Sequence, residues 1–170
     1  MRTSAQQIHI VLETVAGNIG VALFPLIAPE TVAQFVRLVK AGVYDGVRIV
    51  RLEPGFVLQT AVATDRSVSL TPEQSAMIRR LTLEPSTVPH RRGALSLAHY
   101  DGDPDGGETS FSIILGDAPH LDGNYTVFGM VESGWDALGT IEHAPILNNS
   151  TVPAVDIRIK RARVVGDGER

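Results

Sequence analysis

The chain has no cysteine, which excludes disulfides, thiolate catalysis and cysteine-based metal sites while leaving the redox compartment open. It also lacks an apolar run long enough to span a bilayer, and Met1-Arg2-Thr3-Ser4-Ala5-Gln6-Gln7 is not the apolar stretch of a secretory signal. A soluble cytoplasmic protein is expected, with the periplasm or another exported compartment as the alternative if a signal peptide has been removed. Charge of one sign is missing too: the formal net charge is -4, and the arginines pair only at Arg79-Arg80 and Arg91-Arg92. That excludes a basic surface for nucleic acid or an anionic membrane. There is no phosphate-binding glycine-lysine loop, no Gly-x-Ser-x-Gly elbow and no His-Glu-x-x-His. His9, His90, His99, His120 and His143 are scattered without ligand spacing.

What is present suits one domain. The 170 residues, 44% of them apolar, are enough for a single substantial core and leave no room for a second domain, so residues 1–170 read as one unit with a core of about 8–165. Ile8, Ile10 and Leu12 alternate, as do Ile19, Val21 and Leu23, which predicts a hairpin turning at Gly17-Asn18. Pro29 suits a first helical position, and Val32, Phe35, Val36 and Val39 recur at helical spacing before Gly42. Strands are expected around Val47–Arg51, Phe56–Ala61, Gly93–Ala98, Ser110–Leu115 and Tyr125–Val131. A second amphipathic helix is marked by Trp135, Leu138 and Ile141, and a closing strand by Val155 to Val165. Thr71-Pro72-Glu73-Gln74 has the pattern of a capping box, so a short extra helix should lead into Met77–Leu81. Gly166–Arg170 reads as a frayed tail.

The most informative run is Arg51-Leu52-Glu53-Pro54-Gly55-Phe56-Val57-Leu58-Gln59. On one extended segment, its guanidinium, aromatic ring and amide would form a pocket with a cationic edge and an apolar floor, suited to a proline-containing peptide. This run resembles the active-site strand of the cyclophilins, the peptidyl-prolyl cis/trans isomerases. Gly93-Ala94-Leu95-Ser96-Leu97-Ala98 agrees in order and spacing, as does Leu121-Asp122-Gly123 followed by Val127-Phe128-Gly129. The likeness runs from about Leu12 to Val165. It implies a mainly β fold: a closed eight-stranded antiparallel barrel capped by two α-helices. It further implies isomerisation of X-Pro bonds in flexible or unfolded protein segments, with no cofactor, and a monomer is expected. Arg51 would polarise the prolyl amide, Phe56, Val57 and Leu121 would hold the ring, and Gln59 would orient the peptide. Ala98 and the backbone at His99 would form the rim where a peptide pairs edge-on.

Several positions depart from the family pattern. Where members commonly carry Gly-Ser-Gln-Phe-Phe, this chain has Glu108-Thr109-Ser110-Phe111-Ser112. Alternation puts Ser110 and Ser112 on the face opposite Phe111 and Ile113, so both serines stand where larger groups usually meet substrate. Losing a ring there should weaken the grip on proline. Tyr125 replaces the usual histidine, and His120 stands where some members have tryptophan. Weak or absent cyclosporin binding is therefore expected. Thr60-Ala61-Val62 replaces the usual Gly-Gly-Asp, and the segment to Pro89 is rebuilt. Asp101-Gly102-Asp103-Pro104-Asp105-Gly106 begins like a calcium loop, but its twelfth position is Ser112, so an acidic surface turn is the better reading. The rival to a weakened isomerase is a peptide-binding or chaperone module of the same shape with little or no turnover.

Overall fold

A computed structural model describes residues 7–166, which leaves Met1–Gln6 and the last four residues of the expected tail outside the described residues. The alternating start folds as β1 (Ile8–Thr14) against β2 (Gly17–Leu23). Their register continues to Thr14 opposite Gly17, so the turn is Val15-Ala16 and not Gly17-Asn18. Gly17 instead opens β2 at φ 125°, a conformation that side-chain-bearing residues rarely adopt. Thr14 Oγ1 donates to the Gly17 carbonyl at 2.7 Å and accepts from Ala16 N at 3.2 Å, which closes the turn locally.

Helix α1 (Pro29–Lys40) begins at the proline and buries Val32, Phe35, Leu38 and Val39. β3 (Ile49–Glu53) and β4 (Val57–Thr60) follow as a hairpin. The capping box forms as expected: Thr71 Oγ1 accepts from Gln74 N at 3.1 Å, and Gln74 Oε1 accepts from Thr71 N at 2.9 Å. The helix it starts, α2 (Pro72–Met77), stops short of Leu81, which pairs instead with Gly107 in an isolated bridge. β5 (Ala94–Leu97), β6 (Phe111–Ile114) and β7 (Val127–Ser133) precede α3 (Trp135–Glu142), and β8 (Ile159–Val164) closes the chain.

The strands form one antiparallel sheet in the order β3-β4-β6-β5-β7-β2-β1-β8. The expected closed barrel is corrected to a half-barrel: no continuous ladder joins β3 to β8. Only a short patch crosses that seam, with Ile49 N donating to Ile157 O at 2.8 Å and Ile159 N to Val47 O at 2.9 Å. Just ahead of β8, Arg158 pairs with Arg48 only in an isolated bridge, so the strand starts at Ile159 and not at the expected Val155. Inside the curved sheet, Phe35 packs 4.9 Å from Tyr44, 5.4 Å from Phe111 and 5.1 Å from Phe128, ring centre to ring centre. Tyr44 donates its hydroxyl to the Thr109 carbonyl at 2.9 Å, so this buried polar group is satisfied. Burial drives its phenol pKa far above the usual value. A smaller cluster of Val57, Ala94, Ile114, Ala118 and Val127 lies on the other face of the sheet, with Phe56 and Leu121 against it.

Candidate active site

The run from Arg51 to Gln59 is not one extended segment. It is the β3–β4 hairpin, with Arg51 opposite Gln59 and Glu53 opposite Val57. Pro54 and Gly55 turn the chain, and Gly55 takes φ 77°, where a side chain would be strained. Alternation sends Leu52 and Leu58 into the main core and Arg51, Glu53, Val57 and Gln59 to the outer face. The guanidinium of Arg51 lies 5.6 Å from the centre of the Phe56 ring, a cation–π distance. Its Nε donates to Glu53 Oε2 at 2.7 Å, and Nη2 pairs with the same carboxylate. From behind, Glu142 on α3 fixes the turn: Oε2 accepts from Gly55 N at 2.9 Å and Oε1 from Arg92 Nη1 at 2.8 Å. Burial of this carboxyl opposes ionisation, but the Gly55 N–H and Arg92 outweigh it and hold the Glu142 pKa below the usual carboxylate value.

Beside the hairpin opens a cleft of about 280 Å³. Its floor is a row across three strands, Gln59 on β4 beside Ser112 on β6, and Ser112 beside Ser96 on β5. Arg51, Phe56, Val57, Ala98, His99, Leu121 and Tyr125 complete most of the wall. With Gln59 and Ser112, nine of the residues singled out in the sequence, from four separated segments, line one hollow. Two expected residues stand elsewhere. Ser110 lines a neighbouring hollow of about 370 Å³ with Arg80, Glu108 and Thr109, its Oγ donating to Thr60 O at 2.7 Å and accepting from Gln59 Nε2 at 3.4 Å. His120 does not line the cleft; it sits on the exposed 3-10 turn Pro119–Leu121, its ring tilted against Phe56 at 5.5 Å. At the rim, His99 stacks on Tyr125 at 4.1 Å and 14°. Ala98 N already donates to Ser110 O at 2.9 Å, so edge-on pairing of a peptide cannot use that N–H.

Glu53, Ser96 and His90 escape the sequence reading. Glu53 shares a face with Arg51 by simple alternation, a signal that was available. Ser96 follows in the same way from Ala98, two residues on. His90 carried no such signal: buried to 1% exposure, it binds Asp122 Oδ1 through Nδ1 at 2.9 Å and Ser96 Oγ through Nε2 at 2.9 Å. Asp122 Oδ1 also accepts from His90 N at 2.7 Å. Burial lowers the His90 pKa against the pull of Asp122, so the ring is neutral. The backbone N–H of His90, then its ring, hold Asp122 low.

The acidic turn is engaged within the chain. Arg80 Nη2 donates to both Asp103 oxygens, at 2.7 and 2.9 Å, and Asp105 Oδ1 accepts from Leu83 N at 2.9 Å. Among the described residues no three His, Asp or Glu side chains gather to hold a metal ion, and no helix is long and apolar enough to cross a membrane.

Residues 9–164 match the family model described as cyclophilin type peptidyl-prolyl cis-trans isomerase/CLD. The chain belongs to the cyclophilin family. It is 41% identical over 139 residues to the peptidyl-prolyl cis-trans isomerase CYP23 of Arabidopsis thaliana; that alignment covers 81% of this chain but only 61% of the plant protein. It is 33% identical over 149 residues to a peptidyl-prolyl cis-trans isomerase of Helicobacter pylori, covering 85% and 86% of the two chains. Among solved structures, a cyclophilin type isomerase of Cryptosporidium parvum, crystallised in the presence of the dipeptide Ala-Pro, superposes with a TM-score of 0.79 at 25% identity, over 92% of this chain and 98% of that one. A cyclophilin of Hirschia baltica shares the fold alone, with a TM-score of 0.78 at 19% identity, over 96% of this chain and 77% of that one.

Proposed function

We propose that this cyclophilin isomerises X-Pro bonds in flexible or unfolded protein segments, working as a monomer, since the cleft is complete within one chain. The observation that carries this is Arg51, standing beside the Phe56 ring at the mouth of the cleft with Gln59 opposite on the paired strand. Rotation about the prolyl amide faces a barrier of about 18–20 kcal/mol because the nitrogen lone pair is delocalised into the carbonyl. A hydrogen bond to the prolyl nitrogen as it pyramidalises localises that pair and lowers the barrier. Glu53 engages Nε and Nη2 of Arg51, leaving Nη1 without a partner among the described residues and available for that bond. Phe56, Val57 and Leu121 supply apolar contact for the ring, and the Gln59 amide orients the peptide.

Exchange NMR on a short X-Pro peptide tests the proposal. Arg51→Ala should abolish catalysed exchange with little change in Tm, because a half-exposed cleft arginine stabilises the transition state and not the core; equal activity in the two proteins would overturn it. Titration with cyclosporin should show weak binding, because the wall at Ser112 lacks a ring and His120 lies off the lining. A specific observation favours a second reading, a peptide-holding module without turnover: Glu53 offsets the charge of Arg51, and Ser112 loosens the grip. Peptide binding without enhanced exchange would select it.

A further inference from the structure

We propose that the floor of the cleft recognises a prolyl ring bearing a hydroxyl group, with Ser96 and Ser112 as the specificity-determining residues. This inference rests on the reading of the cleft as a prolyl site and names its substrate class. Its starting point is the direction of the hydrogen bonds beneath the floor. The Asp122 carboxylate has no proton to give, so His90 Nδ1 carries one and donates it. The imidazole is neutral in its buried setting, which leaves Nε2 a bare acceptor. Ser96 Oγ, 2.9 Å away, must therefore donate its only proton inward. What Ser96 presents to the cleft is lone pairs alone.

Ser112 completes the arrangement. It lies directly opposite Ser96 on the paired strand, its side chain lines the same cleft, and its hydroxyl has no hydrogen-bond partner among the described residues. It can give and accept. Side chains directly opposite on adjacent strands have Cβ atoms about 4.5–5.5 Å apart, so a single ligand oxygen can meet both hydroxyls. Such an oxygen donates to Ser96, whose donor capacity is spent, and accepts from Ser112, whose donor is free. The apolar walls Val57, Ile114 and Leu121 still hold the carbon skeleton of the ring. An unsubstituted proline leaves the Ser112 hydroxyl and the outward lone pairs of Ser96 against methylene groups or facing trapped water, and a buried polar group without a partner is unfavourable. A 4-hydroxyprolyl residue satisfies donor, acceptor and apolar wall together.

The experiment compares two peptides differing only in Ala-Pro against Ala-(4-hydroxyproline), each read twice: by titration for Kd and by exchange NMR for turnover. The hydroxylated peptide should bind about threefold to tenfold more tightly, the worth of one net hydrogen bond. Ser112→Ala should narrow that ratio. Ser112→Phe should reverse it by filling the space beside Ser96, which guards against a misleading result from Ser96→Ala, a variant that orphans His90 Nε2 and can unfold. Equal affinity for the two peptides, or a preference that survives both Ser112 variants, overturns the inference even if both peptides are isomerised. Preferential binding lost in the Ser112 variants without catalysed exchange upholds it while rejecting the isomerase reading. Binding of neither peptide overturns it.

Discussion

Arg51 and Glu53 stand two residues apart on one face of β3, so the guanidinium that faces the cleft is already paired with an anion. Their side chains keep 42% and 33% of their exposure, and pairs of this kind are worth about 0.2–1 kcal/mol. The pairing orients the planar group through Nε and Nη2, and it also diminishes the field at the prolyl nitrogen. Because that nitrogen gains electron density only as the amide twists, the loss of field falls on the transition state more than on binding. Glu53→Leu should therefore raise kcat by about 1.4- to fivefold, the kinetic equivalent of the pair energy, with KM nearly constant. A fall in kcat by exchange NMR would show that orientation outweighs field. This residue was legible in the sequence by alternation with Arg51, as were the inward-facing Leu52 and Leu58. The same alternation correctly turned Ser112 toward the cleft and Phe111 into the core. His120, expected at the cleft from its place in the family pattern, lies instead on a 3-10 turn, where no period of two sets the direction of a side chain.

At the scale of elements, the segment between β4 and β5 is where sequence and structure diverge most. The capping box revealed the start of α2, yet its end was misjudged because Leu81 finds a partner far along the chain, Gly107, that local spacing cannot signal. No residue of α2 is buried. It is held by partly buried Met77, which packs against the core, and by side-chain bonds to the backbone, with Gln74 Nε2 donating to Ala41 O at 2.8 Å and Gln34 Nε2 to Met77 O at 2.7 Å. The segment gives something back to the barrel through Glu84. Ala28, at the start of α1, has no side chain able to cap the helix. Glu84 takes that role from a distance, its carboxylate accepting from Glu30 N at 3.1 Å, Thr31 N at 2.8 Å and Thr31 Oγ1 at 2.7 Å. A carboxylate at a helix N-terminus satisfies free N–H groups and meets the positive end of the helix dipole. Losing a cap costs about 0.5–2 kcal/mol, and about 2–4 °C of Tm per kcal/mol is expected at this size. Glu84→Ala should accordingly lower Tm by about 1–8 °C in a thermal melt while peptide affinity holds, since Glu84 does not line the cleft. An unchanged Tm would mean that α1 is held by its buried stripe alone.

Across the whole molecule, eight strands in the expected sequence order were readable because each carries its own alternation or turn, but the seam was not. Closure depends on whether β3 and β8 meet, a pairing of residues more than a hundred positions apart that no local pattern encodes. The cleft is held from outside the strands in the same long-range way. His90 and Asp122 tie the loop before β5 to the loop carrying Leu121, and Glu142 ties α3 to the turn carrying Phe56. All three groups have pKa values lowered by folding. The unfolded chain therefore binds more protons than the native one, so stability falls as pH falls. For His90, whose shift comes first from burial, the contribution is fully present above its unfolded pKa of about 6.5 and is lost as pH drops through the lower folded value. For Asp122 and Glu142 the window opens only below about pH 4–4.5. A thermal melt series should then show a plateau above about pH 6.5 and two descending limbs below it. His90→Gln should flatten the upper limb and Glu142→Gln part of the lower one. Both variants should start from a lower Tm at neutral pH, because each replaces a fully bonded group. If His90→Gln leaves the slope between pH 6.5 and 5 unchanged, the buried imidazole is not the group that titrates there, and the direction assigned to it is wrong.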